Sequence, residues 1–168
     1  MKKFICIALV LVLTVSLAAC TAAKKAEPAA SASLANPMQE VDAGALEFAL
    51  NVPADASDAH YFTFTMDGGN MSEAQFKLNG KDCFARAKAV AEVEPVDFSG
   101  LNYKFDEADA EVCGMAAKVY TCGEAGFISF VDVAPGIAYN VGCVGETSAD
   151  ELIALAESCY VPMQGEAG

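Results

Sequence analysis

Glu73-Ala74-Gln75-Phe76-Lys77-Leu78-Asn79-Gly80-Lys81-Asp82-Cys83-Phe84-Ala85-Arg86 is the stretch that decides the fold. Asn79-Gly80 is a two-residue hairpin signal, because both residues accept the positive φ of a type I′ turn. Counting outward pairs Leu78 with Lys81, Lys77 with Asp82, Phe76 with Cys83, Gln75 with Phe84, Ala74 with Ala85 and Glu73 with Arg86. One face then carries Phe76, Cys83, Ala74 and Ala85, and the other carries the opposite-charge pairs Lys77/Asp82 and Glu73/Arg86. Side chains alternate with period two, so a slip of one residue would destroy both patterns at once. The expectation is a core face on one side and exposed ion pairs on the other.

Upstream, His60-Tyr61-Phe62-Thr63-Phe64-Thr65-Met66 alternates again. Placing Phe62, Phe64 and Met66 on the core face with Ala74 and Phe76 requires a loop of odd length, and Asp67-Gly68-Gly69 suits a three-residue hairpin with a glycine bulge. A further strand is expected over 45–52, ending at Pro53. Downstream, after an irregular stretch around Glu94-Pro95 and Ser99-Gly100, strands are expected at 109–113, 116–122, 126–133 and 137–143, with glycine and Pro135-Gly136 between them. Phe127-Ile128-Ser129-Phe130-Val131 is apolar on both faces and reads as a central strand covered on both sides. Ser148-Ala149-Asp150-Glu151 is a capping box that opens a helix, and Leu152, Leu155, Ala156 and Cys159 form its apolar stripe up to Pro162. Strands followed by one helix predict an α+β fold, an antiparallel β-sheet meander with a C-terminal helix packed on the sheet.

The N-terminus carries an address. Met1-Lys2-Lys3, an apolar run over 4–17 and Leu17-Ala18-Ala19-Cys20 have the basic, apolar and small-residue regions of a secretory signal. The apolar run falls short of the ~20 residues of a spanning helix. A cysteine directly after Leu-Ala-Ala resembles the lipobox of bacterial lipoproteins. That resemblance implies cleavage between Ala19 and Cys20, diacylglycerol on the Cys20 sulfur and an N-acyl group on its new amino terminus. No other cofactor is expected. The chain then divides into a signal peptide at 1–19, a lipidated flexible tether at 20–37, a single globular domain at 38–163 and a loose tail at 164–168. The predicted location is the extracytoplasmic face of a cell membrane, with the outer membrane as an open alternative where the cell has one.

Composition narrows the partners. Losing Lys2 and Lys3 lowers the 10 basic residues to 8 against 23 acidic ones, so the mature charge is −15. Such a surface repels phosphate backbones, which argues against nucleic acid and favours a neutral or cationic protein or small ligand. Acidic charge also simply keeps an exported domain soluble.

Residues 97–103, 111–120, 127–140 and 149–157 look like a group of small uncharacterised bacterial lipoproteins. The last three blocks also resemble a domain of unknown function found in lipoproteins and in extracytoplasmic parts of anti-sigma-factor-like proteins. Its usual central-strand aromatic, often tryptophan, is matched here by Phe127 and Phe130. Neither resemblance brings a catalytic motif.

Of seven cysteines, Cys83, Cys113, Cys122, Cys143 and Cys159 remain once Cys6 and Cys20 are set aside. Five thiols make at most two bridges. Cys83 and Cys159 read as buried small hydrophobes. Cys113 and Cys122 lie at unequal distances from the turn between them, which argues against their pairing. Cys122–Cys143 is the candidate disulfide, although the two strands flank a third and stand ~9.6 Å apart unless their ends converge; the alternative is that an envelope without oxidising machinery leaves all five reduced. There is no Cys-x-x-Cys and no second histidine, so no metal site is expected. His60 reads as a strand-edge residue, and Asp106-Glu107-Ala108-Asp109-Ala110-Glu111 as a solvated loop leading into a strand. No nucleophile elbow or phosphate loop occurs, so no catalytic residue is assigned.

These readings favour a non-enzymatic binding or envelope-interaction module. Its working surface is expected on the sheet face away from the helix, or on the loops at 55–59 and 99–109. An envelope regulator or stress-sensor accessory contacting a membrane protein is the alternative, and a carboxylate-based hydrolase the third.

Overall fold

The computed structural model describes residues 37–66 and 69–162. The described residues form one compact unit, and its core and strand ladders are contributed from within 38–159. The signal, Cys20 and nearly all of the tether lie outside the described residues, as does the tail from 163 onward.

Among the described residues, eight strands and one α-helix make the fold: β1 (Met38–Val41), β2 (Ser57–Met66), β3 (Gly69–Leu78), β4 (Lys81–Ala89), β5 (Asp106–Val112), β6 (Met115–Thr121), β7 (Ala125–Asp132), β8 (Ile137–Val144) and α1 (Ala149–Cys159). All pairings are antiparallel, and the strand order is β1-β2-β3-β4-β8-β7-β6-β5. The fold is therefore α+β, built as two four-stranded meanders joined where β8 returns to β4. The β3·β4 register is the one counted from Asn79-Gly80, down to Glu73 opposite Arg86. Asn79 and Gly80 have φ of 53° and 78°, as the turn demands. A second two-residue turn, Cys113-Gly114 at φ 51° and 81°, joins β5 to β6.

Period-two counting assigns each strand's faces. Ala74, Phe76, Cys83, Ala85, Tyr139, Val141, Ile128 and Phe130 are buried toward α1. The helix contributes Leu152, Leu155, Ala156 and Cys159, all buried, and its capping box forms as the sequence implies, Ser148 Oγ accepting from the Glu151 amide at 3.2 Å. Beside the helix the chain at 43–56 covers the rest of this face. Its Phe48 amide donates to the buried Ser72 hydroxyl at 2.9 Å, and the Asn51 amide donates to the Cys159 carbonyl at 3.0 Å.

The opposite face is also covered, and this explains β7, whose residues are buried from Ala125 to Val131. To pass from β4 in mid-sheet to the far edge at β5, the chain must cross β8, β7 and β6, roughly 19 Å at ~4.8 Å per strand. Residues 90–105 make that crossing as an irregular strap. Strap backbone groups laid on a sheet need partners, and the strands supply them. Asn140 Nδ2 and Ser129 Oγ both donate to the Val96 carbonyl, at 2.9 and 3.0 Å, and the Phe98 amide donates to Asn140 Oδ1 at 2.7 Å. Phe105 closes the far end edge-on against Phe127 and Tyr120.

Several expectations fail for identifiable reasons. Met66 pairs with Gly69, so the β2–β3 loop has two residues, not three, and the side chains of 60–65 lie on the faces opposite to those expected. Tyr61 therefore opposes Ala74, while Phe62 opposes Glu73 and Phe64 opposes Met71 on the strap face. The strand expected at 45–52 is instead a 3-10 turn, Ala43–Ala45, followed by irregular chain that buries Phe48 and Leu50. The acidic run 106–111 is not a loop but the edge strand β5 itself. Charged side chains on an edge discourage pairing with another chain.

Candidate functional site

The strap face carries the concave features of interest. At its centre Arg86, on β4, meets Glu73, directly opposite on β3. Arg86 Nε donates to Glu73 Oε2 at 2.8 Å and Nη2 to Oε1 at 3.3 Å, while Gln75 donates to the same carboxylate at 2.7 Å. The remaining guanidinium nitrogen, Nη1, donates to the carbonyls of Phe98, at 3.0 Å, and Ser99 on the strap. The Glu73 side chain is 1% exposed and that of Arg86 19%. This corrects the expectation of an exposed pair: the register is right, but the strap lies on top of it. Gly100 sits on the guanidinium with φ +72°, and a Cβ there would stand 2.8 Å from Arg86 Nη1.

Arg86, Gly100 and Leu101 separate two openings. On one side a groove of about 520 Å³ runs between Phe64 and Met71 of the sheet and Phe98 and Leu101 of the strap, with Pro37 and Asp97 at its rim. Lys88 Nζ lies 4.6 Å over the Phe98 ring, on the strap's flank. On the other side a cavity of about 320 Å³ is lined by Asp58, His60, Gln75, Lys77 and Asp82. The sheet face expected to be a free working surface is thus occupied by the strap, and what remains open is the space between them.

His60 lies on β2 with its side chain half exposed, consistent with a strand-edge position. Nδ1 is 2.7 Å from Glu40 Oε1 on β1, and Nε2 is 3.3 Å from Asp58 Oδ1. The hydrogen bonds to Glu40 first and Asp58 second hold its pKa above the ordinary 6.5. Asp58 occupies the β-bulge at the start of β2 with φ 57°. Cys83 lines the same cavity but is held in the disulfide with Cys143.

Cys143 bonds to Cys83 and not to Cys122. Cys83 and Cys143 face each other across the β4·β8 seam with Cα atoms 4.0 Å apart, whereas Cys122 lies beyond β6, with β7 between it and β8. Cys122 is free, its thiol 3.3 Å from the Ala125 carbonyl, and Cys113 and Cys159 are free as well. Burial pushes the Cys159 thiol up to about 12. The disulfide lines a third cavity, of about 260 Å³, between the β3–β4 turn and α1, where Lys81 Nζ donates to the Glu146 carbonyl at 2.6 Å.

On the acidic edge Lys118 bridges Glu107 and Asp109, each at 2.8 Å, and these two carboxylates raise its pKa. Glu107 and Asp109 of the acidic run are thus paired within the sheet. Among the described residues no three His, Cys, Asp or Glu side chains converge as a metal site, and no helix is long and apolar enough to cross a membrane.

Comparison with family models, with curated proteins and with solved structures finds no match to this chain.

Proposed function

We propose that this chain is an exported lipoprotein, anchored through Cys20, whose folded domain is a non-enzymatic binding module of the cell envelope. The observation that carries the reading is the groove between strap and sheet. A concave, mostly apolar site with a few placed polar groups is the usual form of a ligand site, and here Phe64, Met71, Phe98 and Leu101 supply the apolar walls beside the half-buried Arg86. The Cys83–Cys143 disulfide supports the address, since such bonds persist in oxidising compartments outside the cytoplasm. A lipobox ahead of a small-residue tether supports the anchor.

Fractionation tests the address. The wild-type protein is expected in the membrane fraction, with Cys20 as its acylated N-terminal residue by mass. Cys20→Ala is expected as unprocessed precursor or in the soluble fraction. Cleavage elsewhere, with Cys20 unmodified, sinks the reading.

A further inference from the structure

We infer that the groove between Phe64 and Leu101 holds the acyl chain of an ammonium-bearing phospholipid, a phosphatidylethanolamine or phosphatidylcholine. The lining sets the first half of this identity. Phe64 and Met71, paired across β2·β3, form one wall, and Phe98 and Leu101 form the other. Met71 is buried, and the three others are half-buried along the open side. Such walls accept methylene groups and offer few partners to a polar chain.

The charges set the second half. Arg86, at the inner end, is committed to Glu73 and to the Phe98 and Ser99 carbonyls, so its guanidinium is not free for a phosphate; Lys88, opposite Met71 with Nζ 4.6 Å over the Phe98 ring, can meet the phosphodiester that zwitterionic and anionic lipids share, and so does not decide between them. At the rim stands Asp97, exposed to solvent, one carboxylate oxygen accepting from the Ser99 amide at 2.8 Å. A mature charge of −15 further disfavours an anionic headgroup. A cationic ammonium beside Asp97 is the complementary choice.

Position supplies the ligand. Pro37, on the groove rim, is where the chain continues toward Cys20, and the intervening tether spans at most about 60 Å when extended. A domain so tethered keeps the groove rim within reach of a bilayer surface. The lipid supply, but not the chemistry of the groove, rests on the anchored reading given above.

Residues 36–168, whose described part forms a compact unit with its own core, are mixed with monomeric lysophosphatidylethanolamine or lysophosphatidylglycerol of equal chain length and examined by native mass spectrometry. The expected result is a one-to-one complex with the first, and binding weaker by about tenfold or more for the second. Leu101→Trp, which fills the groove, is expected to abolish the complex at an unchanged melting temperature, and Asp97→Asn to narrow the preference between the lipids. Should Leu101→Trp fail to fold, Phe64→Gln removes the opposite wall and carries the same expectation. No complex with either lipid, or equal binding by the groove variants, overturns the inference. An apolar peptide that binds where neither lipid does also overturns it. The mass of the Cys20 peptide from cells separates the two readings: acylated Cys20 without lipid binding removes the groove assignment, and lipid binding with unmodified Cys20 removes the anchor alone.

Discussion

Two ion pairs stand four residues apart on the β3·β4 ladder, and the structure separates their energies. Lys77 opposes Asp82 with side chains 50% and 72% exposed, whereas Glu73 opposes Arg86 at 1% and 19%. Exposed pairs contribute about 0–1 kcal/mol, because solvent screens them and two long side chains lose freedom in forming them. Removing one partner of a buried pair costs ~3–5 kcal/mol, because the other charge is left desolvated. Arg86→Met keeps length and apolar bulk while deleting five donors. It leaves the Glu73 carboxylate with Gln75 alone and strips the Phe98 and Ser99 carbonyls of their donor, so the upper part of that range is expected. In a domain whose whole stability is ~5–15 kcal/mol, that is a large fraction.

A double-mutant cycle then apportions the loss. Glu73→Met combined with Arg86→Met removes the stranded carboxylate, so it should recover about 2 kcal/mol relative to Arg86→Met alone. It should not return to wild type, because the strap carbonyls remain unpaired at ~1–3 kcal/mol. Urea unfolding at pH 7 measures all four proteins, with Lys77→Met as the exposed comparison on the same ladder. An Arg86→Met loss no greater than that of Lys77→Met would refute the reasoning, since the strap would then not desolvate the pair.

Three further outcomes follow from single contacts. Ser148→Ala should cost about 1 kcal/mol in thermal melts by orphaning the Glu151 amide, whereas Leu155→Asp, placing a charge in a buried seam, should prevent folding. The Ser148 amide, and then Lys81, hold the Glu151 pKa below its ordinary value. The contribution of the Glu151 carboxylate is therefore present above the unfolded carboxylate range and lost as pH falls through the lowered value, and the stability difference between wild type and Glu151→Gln should shrink in acid. His60, its pKa raised by Glu40 and then Asp58, contributes stability fully present below about 6.5 and lost as pH rises through the folded value. NMR titration should place its midpoint above 6.5 and move it back toward 6.5 in Glu40→Gln; an unmoved midpoint would break the assignment. Alkylation of the native, unreduced protein followed by mass analysis should leave Cys159 untouched until unfolding, as well as Cys83 and Cys143 until reduction. Native labelling at Cys159 would show that the helix seam opens.

What could be read from the sequence was local, and what could not depended on partners far along the chain. Asn79-Gly80 and two opposite-charge pairs specify one register between strands that are neighbours in sequence, and Ser148 with Glu151 specifies a helix start within four residues. The β2–β3 connection was ambiguous because glycines at 68 and 69 suit a two- or a three-residue turn, and that parity decides which face receives Phe62 and Phe64. The disulfide needed the β4·β8 pairing, which joins residues 60 positions apart; without it, Cys83 reads only as an inward thiol. Glu73 and Arg86 alternate as exposed charges would. Their burial is caused by a strap whose own sequence carries no period, because its backbone is satisfied by Arg86, Asn140 and Ser129 rather than by a ladder. The candidate groove inherits this difficulty, since its walls come from β2, β3 and the strap at once.

The two faces of the sheet are held by different physics, and this bears on why a groove persists. On the helix side Leu152, Leu155 and Ala156 pack on apolar strand residues, a non-directional contact that closes toward the density of a crystal, and the cavity of about 260 Å³ there lies on the helix flank beside the β3–β4 turn. On the other side the strap near Arg86 is fixed by hydrogen bonds of set length. The guanidinium stands between the Glu73 carboxylate and the Phe98 and Ser99 carbonyls like a pillar, and Gly100 leaves no side chain to displace it. Directional bonds hold Phe98 and Leu101 away from Phe64 and Met71, where apolar attraction alone would draw them together. Arg86→Met should then do more than destabilise: in molecules that remain folded it removes the spacer, lets the walls meet and abolishes the groove. A crystal structure of that variant with the groove open at its original width would show that the strap, not Arg86, sets the gap.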